Sequence, residues 1–536
     1  MNEIDTTAYG ESLFAATRVA APERPRLTFD LDVDVCVIGA GLAGLTTARE
    51  IARRGWSVAV LEAQRIAWGA SGRNTGFVLP GFGQTPQAML DRVGNERAKR
   101  LWALSQAGLE YVRDTILETN MPGIERGTGW LAVSRIDAAR AVAAQTRLLG
   151  EELGASVEMW PTARVRESLK SERYFQAIHF RDAFHIHSLN YALGLAAAAE
   201  QAGARIFENT PALSMDPAGV RKRVTTPGGR VRAAHIVLAG NVYLEKLVPE
   251  LAHTLLPITT YVVATERLGD RLARAIDYRG AVSDGQSADN HYRVASGDRL
   301  IWSGRMTTWQ GRPEHFKRAL ARDIARTYPQ LGKVKIDYAW SGTLGNAVHR
   351  MPQIGELSSG LWLASGFGGH GLNTTAMAGN LVARAIVEGS RTWRMFAPYE
   401  LIWAGGSLGR ASAQVMYWAN RLKQESAARL SRRREKKRSL AMAQQERCAD
   451  ATWAMLKEVE VRFTATGRNS STPIAAVREE GRMPQMTAGG GFDSRPDARI
   501  ESASQAEPES LSESRSEASS ESMSELAPAG GTDARQ

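Results

Sequence analysis

Three glycines and one acid carry the first chemical signal in this chain. The run Gly39-Ala40-Gly41-Leu42-Ala43-Gly44 follows an apolar stretch, Val35-Cys36-Val37-Ile38, and Glu62 stands 23 residues after the first glycine. Gly39 permits a sharp turn, Gly41 lets backbone approach a pyrophosphate, and Gly44 lets a helix pack closely on a strand. The N–H groups that open that helix, with the positive end of its dipole, favour phosphate. Glu62, with Ala63 beside it, ends a second apolar run, Val58-Ala59-Val60-Leu61, where a carboxylate can accept hydrogen bonds from a ribose diol. The glycine pattern alone is a weak signal; its strand–turn–helix–strand setting makes it a strong one. The unit binds a nucleotide without choosing between NAD and FAD.

A second glycine-rich turn makes that choice. Leu361-Trp362-Leu363-Ala364 feeds Gly366-Phe367-Gly368-Gly369-His370-Gly371-Leu372-Asn373, and a helical pattern begins at once. Another helix N-terminus is thereby aimed at the ligand. Reduced flavin carries negative charge around N1 and O2, which a positive helix end stabilises. A dehydrogenase using NAD alone has no need of it, so FAD is the expected cofactor. For substrate contact, Tyr261, Tyr292 and Arg305 stand on strands expected to face the flavin, and His370 stands in the glycine loop. Arg305 could grip a carboxylate with two hydrogen bonds or serve in a surface ion pair. His291 is expected to point away from the face that Tyr292 uses, because strand side chains alternate. His349 and Arg350 are candidates for the cavity wall or for a structural role, and Trp302, Trp309 and Trp340 for wall or core.

The elements that must hold these residues follow from composition and pattern. A chain of 536 residues exceeds one compact core. Its two cysteines, Cys36 and Cys448, exclude a disulfide framework and a cysteine metal cluster, and no metal is expected. No apolar run approaches the roughly 18–20 residues that span a membrane, and the N-terminus lacks a secretory pattern; a cytoplasmic location is expected. The net charge of +10 is concentrated in "RLSRRREKKR", residues 429–438, read as a solvated helix end or tail rather than a specific nucleic-acid site. Thr85-Pro86 opens a helical stripe to about 118; 128–134 and 174–180 read as strands; a helix from His187 stops at Gly203. A short strand at 204–207, a hairpin around Pro227-Gly228-Gly229, a buried strand ending in Ala239-Gly240, and strands at 256–266 and 290–305 follow. Residues 440–536, rich in Ser, Glu, Gly and Pro towards the end, are expected to be a largely disordered extension, with a short helix or strand at 451–463.

In this order, "DVCVIGAGLAGLTTA", "VLEA", "GASGRNTGF", "IVLAGNVY", "HRMPQIG" and "ASGFGGHGLNTTAMAG" resemble the FAD-dependent amine and amino-acid oxidoreductases, the family of D-amino-acid, glycine and sarcosine oxidases. The "WGASGRN" loop and the lead "FAATRVAAPERP" are most similar to its gamma-glutamylputrescine oxidoreductase branch, and the likeness spans residues 12–425. It implies an α/β fold: a Rossmann-like FAD-binding domain assembled from 31–85, 185–250 and 335–390, and a substrate domain with a large mixed sheet from 86–184 and 251–334. A lead (1–30), a helical region (391–439) and the tail complete the chain. It further implies that Gly39, Ala40, Gly41, Leu42, Ala43, Gly44, Glu62 and Ala63 hold the ADP half. Gly69, Ala70, Ser71, Arg73 and Asn74 would wrap the pyrophosphate and flavin edge, Ala239-Gly240 would close over the nucleotide, and Gly366 to Asn373 would reach the pyrimidine ring. No cysteine stands in "TLGNAVHRMP" and no histidine in "GASGRNTG", so non-covalent FAD is expected. The strand "RLIWSGR" lacks the lysine with which sarcosine oxidases assist oxygen. The implied reaction is oxidation of a C–N bond in a small amine or amino acid, with hydride passing to flavin N5, hydrolysis of the imine and reoxidation by oxygen. Transfer of electrons to a quinone or carrier, and oxidation of a 2-hydroxy acid with His370 or His349 as base, are the alternatives.

Overall fold

The computed structural model describes residues 9–285 and 290–465. Two sheets carry the fold. The first has eight strands, in the order Gln353–Ser358, Leu361–Ser365, Arg230–Leu238, Leu31–Ile38, Val58–Leu61, Arg205–Phe207, with Ser214–Asp216 and Lys222–Thr225 attached to Arg230–Leu238 by hairpin pairing. Its central strands are parallel: Leu31–Ile38 pairs with Val58–Leu61 on one side and Arg230–Leu238 on the other, and the latter with Leu361–Ser365. A parallel strand covered on both faces has no solvent side to keep polar, which is why Val35-Cys36-Val37 is unbroken and fully buried. Burial pushes the Cys36 thiol up to about 12, so it is a packing residue.

Helix Leu42–Arg53 lies against both Gly371–Glu388 and Ser188–Gln201, and Asn95–Glu118 crosses Gly371–Glu388. Small residues set these crossings. A Cβ on Gly379 would come within 2.6 Å of Thr46 Cβ, and one on Gly108 would overlap the Asn373 carbonyl. The two helices that start at the glycine turns are thus locked to each other.

The second sheet has nine strands: Ile336–Ala347, Leu255–Thr265, Arg299–Thr307, His291–Ala295, Ala281–Ser283, Gly127–Val133, Ala177–His185 and Phe77–Val78, with Val157–Trp160 beside Ala177–His185. It is antiparallel except where Ala281–Ser283 meets Gly127–Val133. Its two faces bury different sets. Val262, Ala264, Ile301 and Trp340 join the core shared with the first sheet, whereas Tyr261, Val263, Tyr292, Leu300 and Trp302 pack with Leu320 and Ile324 of helix Glu314–Thr327.

Two expectations need correction, the single stripe from Thr85 and the stretch from 440. The stripe beginning at Thr85 is two helices, Pro86–Val93 and Asn95–Glu118, because Gly94 takes φ +73°. Phe77–Val78 and Ile336–Ala347 belong to the nine-stranded sheet, so the segments 31–85 and 335–390 are each divided between the sheets. From 440 the chain stays helical within Gly406–Ala465, including the 451–463 stretch; the rest of the expected tail lies outside the described residues. The chain forms two compact units that join in sequence at Ala449 and Asp450, and both sheets lie in the first.

Candidate active site

The first glycine turn is built against the end of the neighbouring strand. Gly39 takes φ +107°, its N–H donates to the Leu61 carbonyl at 2.8 Å, and a Cβ there would lie 2.9 Å from the Ala239 carbonyl oxygen and 3.1 Å from Gly240 Cα. A Cβ on Gly44 would overlap the Gly39 carbonyl. Helix Leu42–Arg53 starts at Gly41 with no side-chain cap, although Ser71 Oγ accepts the Leu42 N–H at 3.1 Å and stands 3.0 Å from the position of a Gly41 Cβ. Glu62 accepts N–H bonds from Ala40 (2.8 Å) and Gln64 (2.9 Å), one on each carboxylate oxygen. Each oxygen retains a further acceptor site. Surrounding protein raises the Glu62 pKa, and those N–H groups oppose the rise. Ala63 is exposed at the same strand end.

The short helix Ala70–Arg73 follows Gly69, which sits 3.1 Å (at its would-be Cβ) from the Tyr243 ring. Arg73 Nε donates to the Trp68 carbonyl at 2.8 Å, with its guanidinium 5.3 Å above the Trp68 ring. Asn74 has a different use from the one expected. Its amide donates to the Ala70 and Ser71 carbonyls, and its Oδ1 accepts from Gly76 N–H and Ser188 Oγ. That side chain is committed to holding the loop.

At the second turn Gly366 and Gly368 take positive φ, and Gly368 N–H donates to the Gly345 carbonyl at 3.0 Å while Phe367 bridges to Asn346. Gly369 and Gly371 face open space, with nothing within 4 Å of an added Cβ. Helix Gly371–Glu388 begins after His370 without a side-chain cap. Leu372 and Asn373 are buried behind this opening, and the Asn373 amide donates to the Gly81 carbonyl at 3.1 Å. They anchor the turn, and the glycines present it.

Opposite stands a wall from the nine-stranded sheet. Trp130 Nε1 donates to Ser283 Oγ at 2.9 Å, and Ser283 Oγ lies 2.8 Å from His291 Nδ1. Phe77 meets the His291 ring edge-on at 6.2 Å. Burial lowers the pKa of His291 and takes His370 down to about 4, with the neighbouring His291 adding to the fall. Both imidazoles are therefore neutral at pH 7. His370 Nδ1 has no hydrogen-bond partner.

The sequence profile of the FAD dependent oxidoreductase (DAO) family matches residues 34–385. The chain is an FAD-dependent oxidoreductase of this family. It is 32% identical to gamma-glutamylputrescine oxidoreductase of Escherichia coli K12 over 397 residues, which cover 73% of this chain and 92% of the relative. It is 30% identical to the probable oxidoreductase OrdL of Haemophilus influenzae, over 68% and 85% of the two chains. Among solved structures, glycine oxidase from Geobacillus kaustophilus superposes with a TM-score of 0.59 at 21% identity, covering 69% of this chain and 99% of the other. L-Proline dehydrogenase from P. horikoshii does so with a TM-score of 0.57 at 19% identity, covering 70% and 100%. These two show the fold. The cradle suits FAD: a glycine turn whose Gly39 and Gly44 leave no room for a side chain, a carboxylate at the end of the second strand, and two helix starts without side-chain caps.

In the oxidoreductase, three of the four residues expected at the substrate lie elsewhere. Tyr261 is fully buried on the far face, its hydroxyl 2.7 Å from Thr307 Oγ1 and accepting from Gly311 N–H, its ring stacked 3.7 Å from Phe316. Tyr292 stacks on Trp302 at 4.3 Å and shares hydrogen bonds with the Tyr174 and Tyr328 hydroxyls. Arg305, at φ +61°, donates through Nε (3.0 Å) and Nη2 (2.6 Å) to Asp323. His291, set aside in the sequence, takes the site-facing position instead. The alternation was the only signal: Tyr292 and Val294 pair with Trp302 and Leu300 as an apolar set, which leaves His291 on the other face. His349 is held by Glu400 O and Met351 N–H, a structural role. For Arg305→Gln we expect flavin bleaching rates within about twofold of the parent and a loss of about 1–2 kcal/mol of stability, since Asp323 keeps Arg421. A large rise in KM would return Arg305 to the substrate.

Two more histidines make the enzyme's stability depend on pH. His185, which bonds the Arg279 carbonyl, is lowered to about 3, and His187, whose Nδ1 accepts the Asn190 N–H, to about 4. Burial is the main cause in both, with Arg293 nearby. Their folded pKa values lie below the unfolded value of about 6.5, so the unfolded chain binds protons that the folded one refuses. Stability is full above about pH 6.5 and declines as pH falls towards 4, by about 2 kcal/mol per histidine at pH 5. Denaturant midpoints at pH 7 and 5 should show this decline, and His185→Leu should reduce it. Equal midpoints at the two pH values would contradict the burial of these rings as neutral groups.

Proposed function

We propose that the enzyme oxidises the C–N bond of a small amine or amino acid, of the gamma-glutamylputrescine or N-substituted amino-acid kind. The bound FAD would accept the hydride at N5. The amine loses that hydride and a proton, and water converts the imine to a carbonyl compound and the released amine. The observation that carries the reading is the placement of two imidazoles, His370 in the glycine turn with its buried Nδ1 unpartnered and His291 on the sheet wall beside Ser283 and Phe77, in surroundings whose desolvation lowers the pKa of both. Hydride leaves readily only from a neutral amine. Surroundings that disfavour an imidazolium by desolvation disfavour a substrate ammonium in the same way, and so favour loss of its proton. Phe77 and Trp130 would exclude water from the reacting carbon, while His370 Nδ1, without a partner in the protein, would bond the substrate nitrogen. With Arg305 tied to Asp323, an amine without a nearby carboxylate fits better than an α-amino acid.

Oxygen as acceptor is part of this proposal. The alternative, a dehydrogenase that passes electrons to a quinone or carrier, is favoured by one observation: strand Arg299–Thr307 carries no lysine, and its Arg305 faces away from the glycine turn. Anaerobic addition of amines, amino acids and 2-hydroxy acids, followed by air, tests both. Bleaching of the flavin absorbance by an amine, with prompt recolouring in air, is the expected result. Slow recolouring assigns the dehydrogenase. Bleaching by hydroxy acids alone refutes amine oxidation.

A further inference from the structure

Helix Gly406–Ala465 divides its faces between the protein body and the outside. Towards the body, Gln414 Oε1 accepts the Thr308 N–H (3.0 Å), Tyr417 OH accepts the Met306 N–H (3.3 Å), Glu425 pairs with Arg135 (3.0 Å), and Glu435 with Arg166 (2.7 Å). Ala428 is fully buried on the same side. These positions are separated by three, seven or eight residues, close to whole turns of the helix, and form one seam. An outward stripe, flanking the seam, follows the same spacing. Its first half is apolar: Leu408, Val415, Trp418 and Leu422 are 80%, 60%, 51% and 70% exposed, and Trp418 meets the equally exposed Trp309 edge-on at 6.4 Å. Its second half is basic: Arg429, Arg433, Lys436 and Lys437 are all exposed. Between 406 and 438 the only acids are Glu425 and Glu435, and both are spent in the seam.

We propose that this outward face binds an anionic bilayer surface, with the helix lying in the plane of the interface. A solvent-facing helix side has no cause to gather two leucines, a valine and a tryptophan in water, with Trp309 exposed beside them. An apolar stretch with tryptophan at the depth of the lipid headgroups, continued by cations over anionic phosphates, is the pattern of a helix that lies on a membrane without crossing it. Among the described residues, no helix is long and apolar enough to cross one. Phosphate in a nucleic acid would engage the basic half and leave the apolar half unused. A second copy of the chain would bring like charges together.

The test is sedimentation of the FAD-loaded full chain with vesicles of phosphatidylcholine alone and of phosphatidylcholine mixed with phosphatidylglycerol. Binding to the mixed vesicles only, weakened by added salt, is the expected result. Reversing the charge at Arg429, Arg433, Lys436 and Lys437 should weaken it at least about a hundredfold, and Trp418→Ser with Leu422→Ser at least about tenfold. The flavin spectrum and anaerobic bleaching rate should be unchanged in both, since neither set touches the glycine turns. Equal sedimentation with both vesicle types, or no sedimentation, overturns the proposal. So does salt-sensitive retention of an oligonucleotide without vesicle binding, or a concentration-dependent dimer that Trp418→Ser with Leu422→Ser dissolves.

Discussion

Gly44→Ala is expected to yield a protein that purifies without flavin. The methyl group would occupy the space of the Gly39 carbonyl and approach Val37 Cγ1 at 3.1 Å, both backbone and packed core that cannot rotate aside. Helix Leu42–Arg53 must then move away from the strand, and its first N–H groups leave the phosphate position with it. A displacement of this kind should weaken FAD binding at least about a hundredfold, or about 3 kcal/mol. Gly41→Ala makes an instructive contrast. Its Cβ meets only Ser71 Oγ, at 3.0 Å, and a side chain can turn, so a loss of about tenfold is expected from crowding of the pyrophosphate. The ratio of flavin to protein absorbance, and quenching of added FAD fluorescence, measure both. Wild-type affinity in Gly44→Ala would mean that this turn does not hold the cofactor.

His370→Leu should slow anaerobic bleaching by about a hundredfold or more, the usual scale for a group that bonds the reacting atoms, with FAD retained. His291→Leu removes the ring that Ser283 and Trp130 orient and should cost about tenfold, the scale of a lost orienting contact. The pH profile separates a site role from a packing role. Because His370 is pushed down to about 4, it does not titrate at neutral pH; kcat/KM should rise with pH towards the amine's own pKa without an inflection near the usual histidine value. An inflection there that His370→Leu abolishes would show that the ring carries a proton in the free enzyme. Tyr292→Phe is the control: bleaching within about twofold, and about 1–2 kcal/mol less stability from the hydroxyl triad with Tyr174 and Tyr328.

Both outcomes at Tyr292 and His291 trace to one parity. On a strand, a shift of a single residue exchanges the faces, and which face meets the cofactor depends on where the other sheet lies. The alternation at 291–295 was legible; the direction of each face was not. Arg305 shows the same limit in another form. Its partner Asp323 sits on helix Glu314–Thr327, and a positive φ turns the side chain to that helix. Asn74 lies in the loop expected to wrap the flavin edge, and its four hydrogen bonds hold the loop's own backbone and Ser188.

By itself, the sequence determined whatever rests on short contiguous stretches. Gly39, Gly41, Gly44 and Glu62 lie in one strand–turn–helix–strand unit, where φ, helix start and strand end are set by neighbours along the chain. The same holds for the second glycine turn, for the strand pair around Pro227-Gly228-Gly229, and hence for FAD and for the fold class. Only the tertiary structure decided which strands share a sheet and which side chains meet across the cavity. Ile336–Ala347 could have joined either sheet by its pattern, and it joins the second by pairing along Leu255–Thr265. His291 and His370 come together from two elements far apart in the chain, so their neutrality arises from a shared desolvated space that no local spacing encodes.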